Sequence, residues 1–192
     1  MDDTITVFPT GFKEIEEATR SMDFDQVSDS LLGSLLSTLA ASKPHSNFLE
    51  LGTGSGLSTS WILHGMDNQS NLKTIDNNGE LVTVAKKYLE ADSRVEFSVG
   101  KGEDLILGIK PNSIDFIFAD TWPGKYNHVE ETLLLLKQGG IYLIDDMLPQ
   151  ENWPEGHNEK ARNLVKYLES REDFILTKLS WSTGIVICTK KS

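Results

Sequence analysis

A short apolar strand that runs directly into a glycine-rich turn, residues 48–56 (FLELGTGSG), constrains the fold of this chain more than any other segment. Three alternating glycines, Gly52, Gly54 and Gly56, allow positive backbone φ values and let a ligand approach without Cβ clashes. The next residues lead into a helix, whose first N–H groups lack partners within the helix and favour an anionic end of a ligand. The segment therefore predicts a strand–turn–helix unit with a nucleoside cofactor site.

The spacing of the glycines separates two classes of nucleoside cofactor. A dinucleotide site needs a glycine or alanine three positions after the second glycine, where Leu57 stands here. An acid, Glu50, precedes the first glycine by two residues, and a carboxylate suits a cationic methionyl group better than a pyrophosphate. The run Glu50-x-Gly-x-Gly-x-Gly56 resembles motif I of the class I S-adenosylmethionine-dependent methyltransferases. The resemblance implies that S-adenosylmethionine is bound by Glu50, Gly52, Thr53, Gly54, Ser55, Gly56 and Ser58.

The size and charge of the chain fit one domain that acts on a small molecule. Its 192 residues suffice for one sizeable core, so we predict a single methyltransferase domain over residues 1–192. The net charge is −11 and basic residues form no run longer than the pairs Lys86-Lys87 and Lys190-Lys191, which argues against a nucleic-acid partner. We expect a cytoplasmic location without membrane contact, because no apolar run could cross a bilayer and no secretion signal is apparent. The single Cys188 excludes an internal disulfide.

The N-terminal segment is the most acidic part of the chain. Residues 1–30 carry eight Asp and Glu residues against Lys13 and Arg20, with aromatic Phe8 and Phe12 among them. Two interpretations of residues 1–24 stay open: a lid that folds over the cofactor, or a segment that docks on a partner subunit. The second interpretation would make the protein a homodimer.

Strand-like and helix-like segments alternate along the chain, which is the pattern of a parallel sheet covered by helices. Strands are predicted at Phe48–Leu51, Leu72–Ile75, Val95–Val99, Ile114–Ala119, Ile141–Ile144, Phe174–Leu179 and Ile185–Cys188. Helices are predicted near 29–42, 57–66, 79–91, 125–137 and 158–170. The short link 180–184 favours an antiparallel hairpin, because a parallel crossover needs many more residues. We therefore expect an α/β, Rossmann-like fold with a seven-stranded, mostly parallel sheet, helices on both faces and an antiparallel C-terminal hairpin.

Asp76, at the end of the second predicted strand, is the second landmark for a cofactor. Its distance in sequence from the glycine turn is that of the acid that binds ribose hydroxyls in nucleotide-binding folds, and Asn77 follows it. Asp76 and Asn77 could instead cap the next helix, since both residue types favour caps and turns. After the third strand, Gly102 and Glu103 belong to a segment that resembles the part of the family lining the adenine. An ordinary loop is the alternative for this segment.

Acidic residues follow the fourth and fifth predicted strands. Asp120, Asp145 and Asp146 should converge, because the carboxyl ends of parallel strands face one crevice. The two segments resemble the small-molecule O-methyltransferases of the catechol and caffeoyl-CoA type. The resemblance implies that these three carboxylates hold Mg²⁺ or another divalent cation, which brings a substrate hydroxyl to the methyl group and eases its deprotonation. It also implies that Asp120, Thr121 and Trp122 adjoin the cofactor.

The chain departs from that family at two positions. The base of these enzymes is a lysine three residues after the first metal-binding acid, where Pro123 stands here. Lys125 could replace it only if the loop is rearranged, and His128 is a second candidate base. Asp146 stands where the family has asparagine, which could strengthen cation binding or could mean that the site holds a basic substrate group without metal.

The resemblance covers roughly residues 25–192 and implies methyl transfer from S-adenosylmethionine to a small-molecule acceptor, with a hydroxyl oxygen as the favoured nucleophile. Two alternatives remain: a non-catalytic protein that senses S-adenosylmethionine, and an NAD-dependent oxidoreductase, which Leu57 disfavours. The loop 148–156, rich in turn formers, is expected to contribute to the acceptor pocket.

Overall fold

A computed structural model describes residues 2–22, 24, 28–150 and 153–192 of the chain. Within these residues the helices are α1 (Phe12–Arg20), α2 (Ser30–Ala41), α3 (Leu57–Gly65), α4 (Gly79–Leu89), α5 (Gly102–Gly108), α6 (Val129–Leu135) and α7 (His157–Glu169). The strands are β1 (Asn47–Leu51), β2 (Asn71–Asp76), β3 (Val95–Val99), β4 (Ile114–Ala119), β5 (Leu136–Ile144), β6 (Phe174–Leu179) and β7 (Ile185–Lys190).

The strands form one sheet in the order β3-β2-β1-β4-β5-β7-β6. Strands β1 to β5 pair in parallel, and β7 runs antiparallel to both β5 and β6. The predicted α/β fold, with its parallel sheet and antiparallel C-terminal hairpin, is confirmed. The order of strands reverses next to β1, so the carboxyl ends of β1 and β4 flank the crevice in which ligands of such sheets bind.

The sheet separates two apolar cores, and the alternation of side chains along each strand supplies both. In β4, Phe116 and Phe118 face the core beneath α1, α2 and α3, whereas Ile117 and Ala119 face the core beneath α5, α6 and α7. This period of two is what a strand buried on both faces requires. The two cores fix the positions of the strand ends that carry the polar residues.

The region around the fourth crossover differs from the sequence-based expectation. The helix predicted near 125–137 begins only at Val129, because Trp122 O accepts the N–H groups of residues 125, 126 and 127 in a tight loop. It also ends early: Leu136 already pairs with Ile114, and β5 then shifts register around Gly139 and Gly140 before its regular pairing. Helices α1 and α5 were not predicted from the sequence.

The N-terminal segment packs on its own chain. The rings of Phe8 and Phe12 lie 5.8 and 5.7 Å from that of Trp61 in α3, and Thr19 Oγ1 donates to Ser55 Oγ of the glycine turn at 2.7 Å. Met1 and residue 23 of the segment lie outside the described residues. The contact with the turn places α1 beside the predicted cofactor site, while the choice between lid and docking segment stays a prediction.

No helix within the described ranges is both long and apolar enough to span a bilayer.

Helices α2 and α3 approach each other closely enough to require glycine. A Cβ on Gly65 would lie 2.0 Å from Ser37 O, which is backbone and has no rotamer to yield. We expect Gly65→Ala to lower the free energy of unfolding by about 2–3 kcal/mol in urea titrations, because the helices must separate. Gly108→Ala is the control, since its Cβ would meet nothing within 4 Å. It should be neutral or stabilising by up to about 1 kcal/mol, and equal losses in both variants would contradict the close approach.

Candidate functional site

A cleft of about 570 Å³ opens at the carboxyl ends of β1, β2, β4 and β5. This volume lies within the roughly 300–1,000 Å³ of small-molecule sites. One end of the cleft contains the predicted cofactor residues Gly52, Thr53, Gly54, Ser55, Ser58, Asp76 and Asn77. The other end contains Asp120, Thr121, Trp122, Lys125, Asp145 and Asp146. The structure thus brings both groups of predicted residues into one cavity.

The glycine turn is shaped by backbone contacts to β2. The N–H groups of Gly52 and Thr53 donate to Ile75 O at 2.9 and 3.1 Å, which fixes the turn to the neighbouring strand. Gly54 has a φ of 51°, and a Cβ there would meet only Phe24 Cε1 at 3.9 Å. The backbone at Gly54 therefore faces open space, as a turn that receives a ligand closely must.

Gly56, Gly102 and Glu103 do not line the cleft. A Cβ on Gly56 would lie 2.9 Å from Ala85 Cβ, so this glycine lets the turn pack against α4. Gly102 begins α5, and its Cβ would lie 2.8 Å from Pro123 Cβ. The direct cofactor contacts predicted for these three residues are thus not supported by their positions, and the two glycines serve close packing instead.

Glu50 lies beneath the turn and is fully buried. Ser58 Oγ donates to one of its carboxylate oxygens at 2.7 Å, while Thr59 Oγ1 and Thr74 Oγ1 donate to the other at 2.5 and 2.6 Å. Glu50 is absent from the cleft lining, so its position gives no support to the predicted direct contact with a methionyl group. Its carboxylate organises the turn and the start of α3 from below, because it gathers hydroxyls from β2 and α3.

Burial raises the pKa of Glu50 to about 7, against the opposing effect of its three hydroxyl donors. The folded protein therefore holds a proton that the unfolded chain loses above about pH 4.5, so stability falls as the pH rises to about 7. We expect the stability of the wild type relative to Glu50→Gln to fall by roughly 2–3 kcal/mol between pH 5 and 8. Urea titrations at several pH values measure this. Glu90→Gln, which replaces an exposed acid at the end of α4, should leave the pH dependence of stability unchanged.

Asp76 faces the cleft from the end of β2. Its Oδ2 accepts the Gly54 N–H at 2.9 Å, and its Oδ1 accepts the Asn78 N–H at 2.9 Å. The cap of α4 is Asn78, whose Oδ1 accepts the N–H groups of Glu80 and Leu81. Because Asn78 supplies the cap, the carboxylate of Asp76 remains at the cleft, where it connects the glycine turn to the next crossover.

Asp120, Asp145 and Asp146 form an acidic cluster at the other end of the cleft, with one oxygen from each within 4.8 Å of the others. Burial raises the pKa of Asp145 to about 6, although the Thr183 hydroxyl donates to it. Burial also raises the pKa of Asp120 well above its usual range, and the neighbouring carboxylates add to the shift. The cluster therefore gains from any cation that compensates its charge.

The donor set of the cluster fits a hard divalent cation. Three carboxylates without histidine or cysteine are the oxygen ligands that Mg²⁺ and similar ions prefer. Asp146 has a φ of 52°, a left-handed conformation that asparagine and aspartate tolerate best among residues with a side chain. Either residue thus suits position 146, which explains how aspartate can replace the asparagine of the similar enzymes without a change of backbone.

Lys125 reaches the cleft through a rearranged loop. Trp122 O accepts three N–H groups within the loop. Tyr142 Oη also holds the loop, because it donates to Gly124 O at 2.6 Å. Gly124 has a φ of 83° and leaves no room for a Cβ, which would meet Leu51 Cδ1 at 2.2 Å. Lys125 is only 4% exposed and its charge lowers the pKa of Asp120 and Asp145 against the effect of burial. The loop therefore brings a lysine into the cleft, although Pro123 occupies the position at which the similar enzymes have one.

His128 does not belong to the cleft. It occupies the position before α6 with a φ of 55°, and its Nδ1 lies 3.6 Å from Glu131 Oε1. No part of its ring lines the cavity among the described residues. The position of His128 gives no support to its prediction as a base.

Aromatic side chains form the outer wall of the cleft beside the acidic cluster. Trp122, Tyr126, Trp153 and His157 line it, with the rings of Trp153 and His157 centred 4.3 Å apart. Tyr126 Oη and His157 Nε2 lie 3.1 Å apart. Sequence reasoning overlooked Tyr126 as a site residue, although its place in the segment after the fourth strand was a usable signal. The predicted contribution of the loop 148–156 agrees with the presence of Trp153 and Pro154 in the lining.

The C-terminal hairpin supports the acidic end of the cleft. Its connecting loop supplies the Thr183 hydroxyl to Asp145, and Thr183 O and Gly184 O accept the N–H groups of Leu148 and Met147 at 2.9 Å each. The chain after β5 is therefore fastened to the loop between β6 and β7.

A family model described as a methyltransferase domain matches residues 49–147 of the chain. A curated protein of Mycobacterium ulcerans (strain Agy99), provisionally named as an O-methyltransferase, is 34% identical over 118 residues, which are 59% of this chain and 53% of that protein. A protein of Mycobacterium avium (strain 104) with the same provisional name is 32% identical over the same shares. The chain thus spans about half the length of the curated relatives it matches.

Solved structures share the fold across nearly the whole chain. The O-methyltransferase TomG of Streptomyces achromogenes, solved with SAM, has a TM-score of 0.84 at 21% identity and covers 98% of this chain and 92% of its own. An O-methyltransferase of Bacillus cereus, solved with SAH, has a TM-score of 0.85 at 19% identity, with 98% and 94% covered. At these identities the likeness establishes the architecture alone.

Proposed function

The chain belongs to the family of methyltransferase domains, and from that premise we propose that it transfers the methyl group of S-adenosylmethionine to a hydroxyl oxygen of a small-molecule acceptor. The observation that supports this proposal most is that one cleft contains two chemically different ends. A glycine turn with Asp76 lies at one end, and an acidic cluster with Lys125 lies at the other. Such a cleft can hold an adenosyl group and bring a polar acceptor against it.

At the cofactor end, the chain would bind and orient the adenosyl methionine. Asp76 would accept both ribose hydroxyls, because it lines the cleft from the end of β2 and each of its oxygens can accept a second hydrogen bond beside the backbone N–H that it holds. The open backbone at Gly54 admits the ligand, and Glu50 keeps the turn in place from below. S-adenosylmethionine would supply an electrophilic methyl group on a sulfonium, so the task left to the protein is positioning.

At the acceptor end, Asp120, Asp145 and Asp146 would hold a divalent cation. Such a cation would lower the pKa of a bound hydroxyl and orient it. Lys125 adds a positive charge beside the same carboxylates. Its alternative role is to compensate the cluster alone, in which case the site would work without metal.

The non-catalytic sensor is weakened as an alternative. It depended on the loss of the lysine at position 123, but Lys125 is buried within the cleft. We propose further that the partners are limited to a small acceptor, without nucleic acid or membrane. A single domain over residues 1–192, a homodimer and a cytoplasmic location remain predictions from the sequence.

Calorimetric titration with S-adenosylhomocysteine, repeated with NAD, tests the cofactor assignment. We expect heat of binding with S-adenosylhomocysteine and none with NAD, and the reverse result would contradict the proposal. Transfer of a labelled methyl group to a panel of phenols, catechols and small acids, with magnesium or with chelator, then tests the reaction. Cofactor binding without transfer to any acceptor would favour the sensor.

A further inference from the structure

Tyr126 and His157 form a hydrogen-bonded pair at the acceptor end of the cleft. Their atoms Oη and Nε2 lie 3.1 Å apart, and both side chains line the cavity together with the acidic cluster. The two rings are nearly perpendicular, with centres 5.2 Å apart, and Trp153 covers the imidazole. Packing thus fixes the pair in the cleft wall, with the phenolic oxygen of Tyr126 beside the imidazole Nε2 of His157.

The charged groups around the pair come from three segments. Lys125 lies in the loop that also carries Tyr126, Lys160 is one turn further along α7, and Asp146 follows β5. Burial raises the pKa of Tyr126 to about 12, with Asp146 adding to the shift, so its hydroxyl keeps its proton and can donate. Burial lowers the pKa of His157, and the two lysines add to this effect against Asp146. The imidazole is therefore neutral near pH 7 and can accept a proton.

Building on the proposed function, we propose that Tyr126 and His157 form a proton relay for the acceptor hydroxyl. The acceptor O–H donates to Tyr126 Oη, and the Tyr126 hydroxyl donates to His157 Nε2. As the acceptor oxygen gains a methyl group, its proton passes to Tyr126 Oη and the Tyr126 proton passes to His157 Nε2. Tyr126 is then the residue that touches the acceptor, and His157 acts through it.

The relay balances in atoms and charge. The acceptor O–H bond and the Tyr126 O–H bond break, and new bonds form from Tyr126 Oη and His157 Nε2 to hydrogen. Tyr126 is regenerated, and the positive charge that leaves the methyl donor appears on the imidazolium. Asp146, whose charge favours protonated His157, stabilises that product. Once methylation has left the acceptor oxygen without charge, His157, which is partly exposed, returns the proton to solvent.

Two features distinguish this pair from an ordinary packing contact. With Nε2 as the acceptor, the neutral imidazole carries its proton on Nδ1, which is buried without a hydrogen-bond partner among the described residues. Such an unsatisfied group is costly and occurs at functional sites. Lys125, the other candidate base, is engaged with the acidic cluster, where its charge opposes the effect of burial on Asp120 and Asp145. The pair is thus the neutral proton acceptor of the cleft wall.

The test uses His157→Gln, which can still accept from the Tyr126 hydroxyl but cannot store a proton, and Tyr126→Phe, which removes the link. With catechol as acceptor at pH 7, both variants should lower kcat by about 100-fold or more with little change in KM, which is the lower end of the usual range of general base catalysis. The loss should shrink as the pH rises, and also with 4-nitrocatechol, whose hydroxyl ionises more readily. His64→Gln and Tyr88→Phe are controls outside the cleft.

A second measurement needs no turnover. 4-Nitrocatechol is titrated into the wild type saturated with S-adenosylhomocysteine. The phenolate is followed by its absorbance. The protons released to the buffer are counted by calorimetry in buffers of different ionisation enthalpy. The relay predicts phenolate formation without proton release to the buffer, because without methyl transfer the negative phenolate stays beside the pair and favours protonated His157. In His157→Gln, the phenolate should be lost or its proton should appear in the buffer.

The outcomes separate the relay from the proposed function. Methyl transfer with unchanged kcat and pH profile in both variants would overturn the relay and leave the function standing. Failure of the wild type to bind S-adenosylhomocysteine would overturn the proposed function itself. If the cofactor-loaded protein binds neither catechol, the relay is also overturned, since the cleft then takes no such hydroxyl beside Tyr126.

Discussion

Asp76→Ala should weaken the binding of S-adenosylhomocysteine by at least about 100-fold. Two hydrogen bonds from ribose hydroxyls to a carboxylate contribute about 1.5–3 kcal/mol each, so their joint loss amounts to two or more orders of magnitude. The variant also removes the contact with the Gly54 N–H that holds the turn. Calorimetry at a constant ionic strength measures the change.

The control for Asp76 is Glu80→Ala in the first turn of α4. Glu80 is exposed, follows the same strand and does not line the cleft. Its replacement by alanine removes one negative charge, as Asp76→Ala does. Its affinity for S-adenosylhomocysteine should stay within a few-fold of the wild type. Asp76→Asn should be intermediate, since an amide oxygen accepts only part of what a carboxylate accepts. Equal affinities for Asp76→Ala and Glu80→Ala would remove Asp76 from the cofactor site.

Asp120→Asn and Asp145→Asn should each lower kcat/KM for methyl transfer by at least about 100-fold, because each removes a charged ligand next to the acceptor. Chelator should reproduce the loss in the wild type, and added Mg²⁺ should reverse it. Because burial raises the pKa of Asp145 to about 6, protons compete with the cation, and Mg²⁺ affinity should strengthen from pH 6 to 8. Calorimetry with Mg²⁺ alone provides the readout.

Asp104→Asn, an exposed acid of α5 outside the cleft, is the control for this series. Its activity and its affinity for Mg²⁺ should equal those of the wild type. Full activity of the wild type in chelator, combined with loss of activity in Lys125→Met, would instead assign the compensating charge to the lysine. Loss of activity in chelator that Mg²⁺ restores supports a metal at Asp120 and Asp145. Full activity in chelator excludes that metal.

The part of the site that follows from local backbone chemistry was predictable from the sequence. Glycines after an apolar strand specify a turn, and an acid at the end of the next strand specifies a polar crevice edge, so Gly54 and Asp76 were placed correctly in the cleft. The three acids after β4 and β5 were also expected to converge, because parallel strands end at one edge.

The remaining features depend on tertiary contacts that no local pattern contains. The spacing alone suggested that Glu50 faces the ligand, but hydroxyls from β2 and α3 capture both of its oxygens. Helical periodicity near residue 125 hid the loop around Trp122 O, and that loop decides whether Lys125 reaches the cleft. The Tyr126 and His157 pair joins residues 31 positions apart, so only the docking of α7 shows it.

The loop between β6 and β7 is attached to the chain after β5, and this attachment affects which positions can change the acceptor selectivity of the protein. Thr183 donates to Asp145 and Gly184 O accepts the Met147 N–H, whereas neither residue hydrogen-bonds to the glycine turn within the part of the chain that the structure describes. Substitutions of Thr183 and Gly184 would therefore act first on the acceptor end of the cleft. Ser182 of the same loop donates to Asp29 Oδ2 at the start of α2, so acceptor selectivity can change at two positions of a loop that its neighbour keeps attached to the rest of the fold.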